Sequence, residues 1–208
     1  MNKMPFRLGL TGSIATGKST ALRYFAELGH STFSSDEIVH QLYEGEAVAP
    51  VGAAFPEVSD GTRIDRAALA ALLINQPNRM IDLEAIVHPL VRSKIDLFLT
   101  RAVRQSADLV IVDIPLLLES AHPYPLDAVA VTYCTADEQR RRALARPGMT
   151  AEKFATLLGK QLPQAEKKRR ADFLIDTNGT FDETRAQGAE SAATCLRRRA
   201  GLAKPDEP

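Results

Sequence analysis

The sequence predicts an α/β chain of three-layer α/β/α architecture, a five-stranded parallel sheet covered by helices on both faces. Two observations carry this. Short apolar runs recur along the chain with helical stretches between them, which is how crossover helices come to cover both faces of a parallel sheet. The clearest run, Leu109-Val110-Ile111-Val112-Asp113-Ile114, is apolar almost throughout rather than alternating, and Pro115 ends it.

Phe6 with Leu8-Gly9-Leu10-Thr11 reads as the first strand, and a glycine-rich stretch breaks it before Lys18 opens a helix to about Leu28. Gly29 stops that helix as a C-terminal glycine. Ser31 to Ser34 is the second strand, and Asp36 begins another helix. About seventy mostly helical residues follow, with Ile86, Val87, Leu90, Val91, Ile95, Phe98, Leu99 and Ala102 at roughly 3.6-residue spacing. Gly61 and Pro77 punctuate this stretch, which is too long for a simple crossover and is expected to form a subdomain. Leu109 to Ile114 is the third strand, Ala128 to Tyr133 the fourth and Phe173 to Ile175 the fifth, with a second helical excursion from Ala136 to Arg170. The expected organisation is one domain over residues 1–208. Its core is 6–40, 107–136 and 171–199, with inserts at 41–106 and 137–170 and a disordered tail at 200–208.

Twenty-six Lys and Arg balance twenty-six Asp and Glu, which argues against a general nucleic-acid binder. No apolar run approaches the roughly 18 residues that span a bilayer, so no membrane association is expected. Met1 to Leu10 lacks a cleavage-type small-residue site, so no signal peptide is expected. Cys134 and Cys195 have no zinc-type spacing and read as reduced thiols of a cytoplasmic protein. Charge is uneven locally: Glu138 to Arg170 holds ten Lys or Arg against three acids, which points to an anionic ligand.

That ligand is indicated by Gly12-Ser13-Ile14-Ala15-Thr16-Gly17-Lys18-Ser19, which satisfies G-x-x-x-x-G-K-[S/T] between a strand and a helix. Such a loop turns successive N–H groups toward phosphate oxygens, and the following helix adds its positive dipole end. Lys18 can reach the β- and γ-phosphates of ATP, and the Ser19 hydroxyl is suited to ligate Mg²⁺. A guanine-reading N-K-x-D segment is missing: Tyr133-Cys134-Thr135-Ala136 stands where one is expected.

Further segments in order are Ala26-Glu27-Leu28-Gly29, Ser35-Asp36-Glu37-Ile38, His88-Pro89-Leu90 and Pro115-Leu116-Leu117-Leu118-Glu119. After them come Gln139, Arg142 and Arg146, then Gln161 and Glu166-Lys167, and finally Ala171-Asp172-Phe173-Leu174-Ile175-Asp176-Thr177-Asn178-Gly179. With the phosphate loop these resemble the dephospho-CoA kinase family across Gly9 to Gly179. The chain departs from that pattern at Ser34-Ser35-Asp36, where members carry D-A-D, and at Ala15-Thr16, where members often carry Gly-Ser.

The resemblance implies a P-loop kinase fold in which 41–106 is an acceptor-binding helical insert and 137–170 a basic helical lid. It implies transfer of the ATP γ-phosphate to the ribose 3′-hydroxyl of dephospho-CoA, with Mg²⁺, by a monomer or weak homo-oligomer. Expected catalytic residues are Asp36, Lys18, Arg142 and Arg146. Nucleotide contacts are Gly12, Ser13, Ile14, Ala15, Thr16, Gly17, Lys18, Ser19, Thr20 and Asn178, and Ser19 is the metal ligand. His88, Arg92, Leu116 and Glu119 are expected at the acceptor. Asp36 also suits a helix N-cap. Arg140 and Arg141 read as surface charges, and Asp113 as a strand-end acid able to act on Mg²⁺. The alternative activity is that of another small nucleotide or metabolite kinase.

Overall fold

β1 (Phe6–Gly12) is buried from Leu8 onward and lies at the centre of the sheet. The chain, described at residues 4–202 by a computed structural model, continues through α1 (Lys18–Glu27), β2 (Ser31–Ser34), α2 (Ser35–Leu42), α3 (Val48–Ala54), α4 (Arg66–Asn75) and α5 (Met80–Arg104). β3 (Leu109–Asp113), β4 (Ala128–Tyr133), α6 (Ala136–Leu144), α7 (Ala151–Gly159), α8 (Gln164–Arg169), β5 (Phe173–Asp176) and α9 (Phe181–Ala200) complete it. The five strands and their order along the chain are as the sequence predicts.

Strand order is β2-β3-β1-β4-β5. β1 runs parallel to β3 on one side, with Leu10 opposite Asp113, and parallel to β4 on the other, with Gly12 opposite Thr132. Successive strands therefore diverge to either side of β1, and its carboxyl end is a switch point, where open α/β sheets bind ligands. Leu8, Leu10, Leu109, Ile111, Ala130 and Ile175 form the core with Phe25 of α1 and Cys195 of α9.

By Cα proximity the chain divides into two units, the described residues up to Phe33 with those from Arg101 onward, and Ser34–Thr100. In the second unit, Phe55 is fully buried beneath the Arg79 guanidinium, 4.4 Å from its ring centre, and Arg79 also pairs with Glu57 at 3.2 Å. The Ile64 N–H donates to the Tyr43 carbonyl, and Lys94 pairs with Glu46. α5 continues through Pro89 and buries Val87, Val91 and Ile95, the stripe read from the sequence.

Two boundaries differ from expectation. Ser34, rather than Asp36, caps α2, its hydroxyl accepting the Glu37 N–H at 3.3 Å; Asp36 sits exposed in the first turn. The expected tail begins inside a helix, because α9 runs to Ala200 and Gly201, at φ 74°, caps it; residues 203–208 of that tail lie outside the described residues.

Candidate active site

The phosphate loop rises from the carboxyl end of β1. Gly17, at φ 85°, is the N-cap of α1 and supplies no side-chain cap. Ser34, Asp65, Thr135, Thr150 and Thr180 cap α2, α4, α6, α7 and α9 with side-chain oxygens. No side chain caps α1, so its positive dipole end faces the loop, an arrangement that favours an anion. Gly12 has a second constraint: a Cβ there would collide with the Thr132 hydroxyl and lie 2.6 Å from that of Thr16. These two hydroxyls bond each other at 2.9 Å, fixing the loop against β4.

Lys18 forms an ion pair with Asp113, which ends β3 and is 1% exposed. The strand-end acid therefore lies beside the loop lysine. Ser19 is exposed in the first turn of α1, and the Ser13 hydroxyl is buried with no hydrogen-bond partner among the described residues.

The basic excursion is laid over the loop. The Ile14 N–H donates to Gln161 Oε1 at 2.9 Å, and the Ile14 carbonyl accepts from Gln139 Nε2 at 2.8 Å. Ala15 packs with Ala143 of α6 and Phe154 of α7, with Ile14, Met149 and Leu158 around them. A cavity of about 330 Å³ adjoins the loop, lined by Ala15, Gly17 and Thr20, by Arg141, Arg142 and Arg146 of the basic excursion, and by Thr177, Gly179, Phe181 and Thr184.

Arg142 and Arg146 thus reach one cavity, as their i, i+4 spacing predicts, but their situations differ. Arg142 donates to Thr177 Oγ1 at 2.9 Å, to the Thr177 carbonyl at 2.6 Å and to Glu138 at 2.6 Å. Arg146 is exposed and has no ion pair among the described residues. Arg141, read as a surface charge, joins the lining while its guanidinium holds Glu138, whose carboxyl falls to about 2 through hydrogen bonds from Arg141 and then Arg142.

Asn178 is not in the lining. Its side-chain oxygen accepts the Thr135 N–H at 2.7 Å and its nitrogen donates to Asp176, so it shapes the turn that places Thr177 and Gly179. Glu119 accepts the Leu162 N–H at 3.0 Å and pairs with fully buried Lys167 at 2.8 Å. It ties the loop after β3 to the approach to α8. Leu116 is exposed on that loop. Asp36, exposed His88 and half-buried Arg92 belong to the second unit.

Gln139 and Gln161 entered the sequence reading only as matched positions, and Phe181 and Thr177 not as ligand contacts. A single glutamine within a run of charged helical residues carries no chemical signature; only the fold brings its amide to Ile14.

A family model described as dephospho-CoA kinase matches residues 6–183. The dephospho-CoA kinase of Rhizobium meliloti (strain 1021) is 52% identical over 180 residues, covering 86% of this chain and 93% of that one. Among solved structures, TT1252 from Thermus thermophilus superposes with a TM-score of 0.77 at 31% identity, covering 91% of this chain and 97% of that one. Dephospho-CoA kinase from Campylobacter jejuni gives 0.65 at 25% identity, over 92% and 98%. With an open-ended phosphate loop, a strand-end carboxylate on its lysine and a basic excursion seated above, the chain belongs to the dephospho-CoA kinase family.

Proposed function

We propose that this chain transfers the γ-phosphoryl group of ATP to the 3′-hydroxyl of the dephospho-CoA ribose, giving coenzyme A and ADP in the cytoplasm. The observation that carries the reading is the adjacency of the uncapped N-terminus of α1, the Lys18–Asp113 pair and the arginine-lined cavity. Loop N–H groups and Lys18 bind the phosphates. The cavity takes the nucleoside, with Phe181 as an apolar wall. Arg146 supplies positive charge as charge spreads over the transferring group, and Arg142 holds α6 on the Thr177 turn so that Arg146 faces the cavity.

Asp36 orients or deprotonates the acceptor hydroxyl. His88 and Arg92, on the insert at 41–106, contact the acceptor, as does Leu116. The excursion at 137–170 serves as the lid that excludes water during transfer.

The residues suit magnesium. The Ser19 hydroxyl and Asp113 carboxylate are hard oxygen donors, and magnesium takes few protein ligands beside phosphate and water. When bound, the ion neutralises charge on the β- and γ-oxygens.

The test is to incubate the protein with ATP, Mg²⁺ and dephospho-CoA and follow coenzyme A and ADP together. Equal amounts of both are expected. Robust phosphorylation of a nucleoside monophosphate with no coenzyme A would overturn the acceptor assignment. Lys18→Ala should abolish turnover while the circular dichroism spectrum is retained; near-native kcat would refute the role given to the loop.

A further inference from the structure

We infer that Gln139, assisted by Gln161, is a positioning residue that sets the orientation of one peptide group of the phosphate loop for binding. Ser13-Ile14-Ala15-Thr16 is a turn closed by the Thr16 N–H on the Ser13 carbonyl at 3.2 Å and by the Thr16 hydroxyl on the same carbonyl at 2.8 Å. Its third residue, Ala15, has φ 62°. Turns with positive φ at that position ordinarily carry glycine there, since an L side chain in the left-handed region is strained. The competing turn, with negative φ at the third residue, differs by rotating the Ile14–Ala15 peptide through half a turn. An alanine left to itself favours that competitor.

Gln139 opposes the flip. It is 2% exposed, and its Nε2 donates to the Ile14 carbonyl, the acceptor of that peptide group, at 2.8 Å. Its own Oε1 accepts from Gln164 at 3.0 Å, and Gln164 accepts the Cys134 N–H at 3.2 Å, so the amide cannot swing away without breaking a chain of bonds. Gln161 holds the N–H on the other side of Ile14 at 2.9 Å. Because the C=O and N–H of one peptide point in opposite directions, a carbonyl held on Gln139 turns the Ala15 N–H the other way. Ala15 lines the cavity beside Gly17 and Thr20, and that N–H becomes a phosphate donor. A flipped peptide would offer phosphate a carbonyl oxygen instead.

The inference rests on reading this loop as a triphosphate site but not on the identity of the acceptor. Inorganic tripolyphosphate and ADP binding, measured by titration calorimetry, are therefore the probes, beside KM for ATP. Gln139→Met keeps the volume and removes the donor. It should weaken both ligands and raise KM roughly tenfold, the scale of a left-handed alanine's strain, with kcat at saturating ATP changed far less. In an Ala15→Gly background the same substitution should cost at most about threefold, because glycine takes positive φ unaided. Gln161→Met should show a smaller loss with the same rescue, and it carries the comparison if Gln139→Met does not fold. Losses of equal size with and without the Ala15→Gly change, or tripolyphosphate affinity unchanged in Gln139→Met, would overturn the assignment. Absence of coenzyme A formation with the binding pattern intact would instead count against the acceptor alone.

Discussion

Phe181 is 71% exposed at the first position of α9 and lines the cavity beside the phosphate loop. A large aromatic surface left in water is informative when it borders an arginine-lined cavity, and a purine base is a ligand with a face to match it. The Thr180–Glu183 capping box fixes the ring's helix end without using the ring, so truncation should spare the fold. Phe181→Ala is expected to raise KM for ATP about tenfold, within the range for base–aromatic stacking, and to leave tripolyphosphate binding unaltered. Loss of both affinities together would show that Phe181 supports the loop rather than the base. Among the other residues of the site, Arg142 and Arg146 share a spacing and a cavity yet have different partners, Arg142 holding Glu138 and the Thr177 turn while Arg146 has no ion pair among the described residues. Arg142→Ala should loosen α6 and lower the melting temperature. Arg146→Ala should lower kcat by at least about tenfold, the scale of a lost charge contact to the transferring group, with little change in melting temperature.

At the scale of elements, the loop after β3 and the approach to α8 are joined by a buried ion pair. Lys167 is fully buried with its Nζ 2.8 Å from Glu119 Oε1, and Glu119 Oε2 has no hydrogen-bond partner among the described residues. Removing one member of such a pair leaves a charge in a low-dielectric interior, whereas an apolar pair of similar size removes both penalties. Lys167→Met should therefore destabilise by about 3 kcal/mol in urea denaturation. The double variant with Glu119→Leu should lose less than Lys167→Met alone. A double variant as unstable as the sum of the single ones would mean that the two side chains do not interact energetically, and would overturn this account of the pair. At the helix ends, four hydroxyls and one carboxylate cap α2, α4, α6, α7 and α9, whereas α1 at the phosphate loop, like α3 and α8, has no side-chain cap.

For the molecule as a whole, Cys195 couples the core to alkaline pH. It is fully buried with Leu8, Phe25 and Ile175, and burial pushes its thiol from 9.0 up to about 12. The native state then holds a proton that the unfolded chain releases above pH 9. Stability is therefore full below about pH 9 and declines progressively as pH rises toward 12. Cys195→Ala should flatten that decline in chemical denaturation despite lower stability at neutral pH. An unchanged alkaline slope would remove Cys195 from the cause. Burial also raises the Cys134 thiol, so both thiols should resist alkylation until the chain unfolds.

The sequence by itself determined the strands, their order along the chain, the phosphate loop and the family. These are local facts: an apolar run such as Leu109–Val112 can only be buried, and Gly17-Lys18-Ser19 after a strand encodes its chemistry in consecutive residues. It also put Arg142 and Arg146 on one helix face, because a helix fixes i, i+4 neighbours. The tertiary structure alone decided what those residues meet. It put Asp113 on Lys18 across the sheet, because β1 and β3 are paired so that Leu10 faces Asp113. It turned Asn178 into a brace for its turn, Glu119 into the partner of Lys167, and Ser34 into the cap of α2 in place of Asp36. It also brought Gln139 to Ile14 from 125 positions away. A hydrogen bond depends on ångström distances between groups that no local pattern relates, so the glutamine that holds the loop became visible only when the chain was folded.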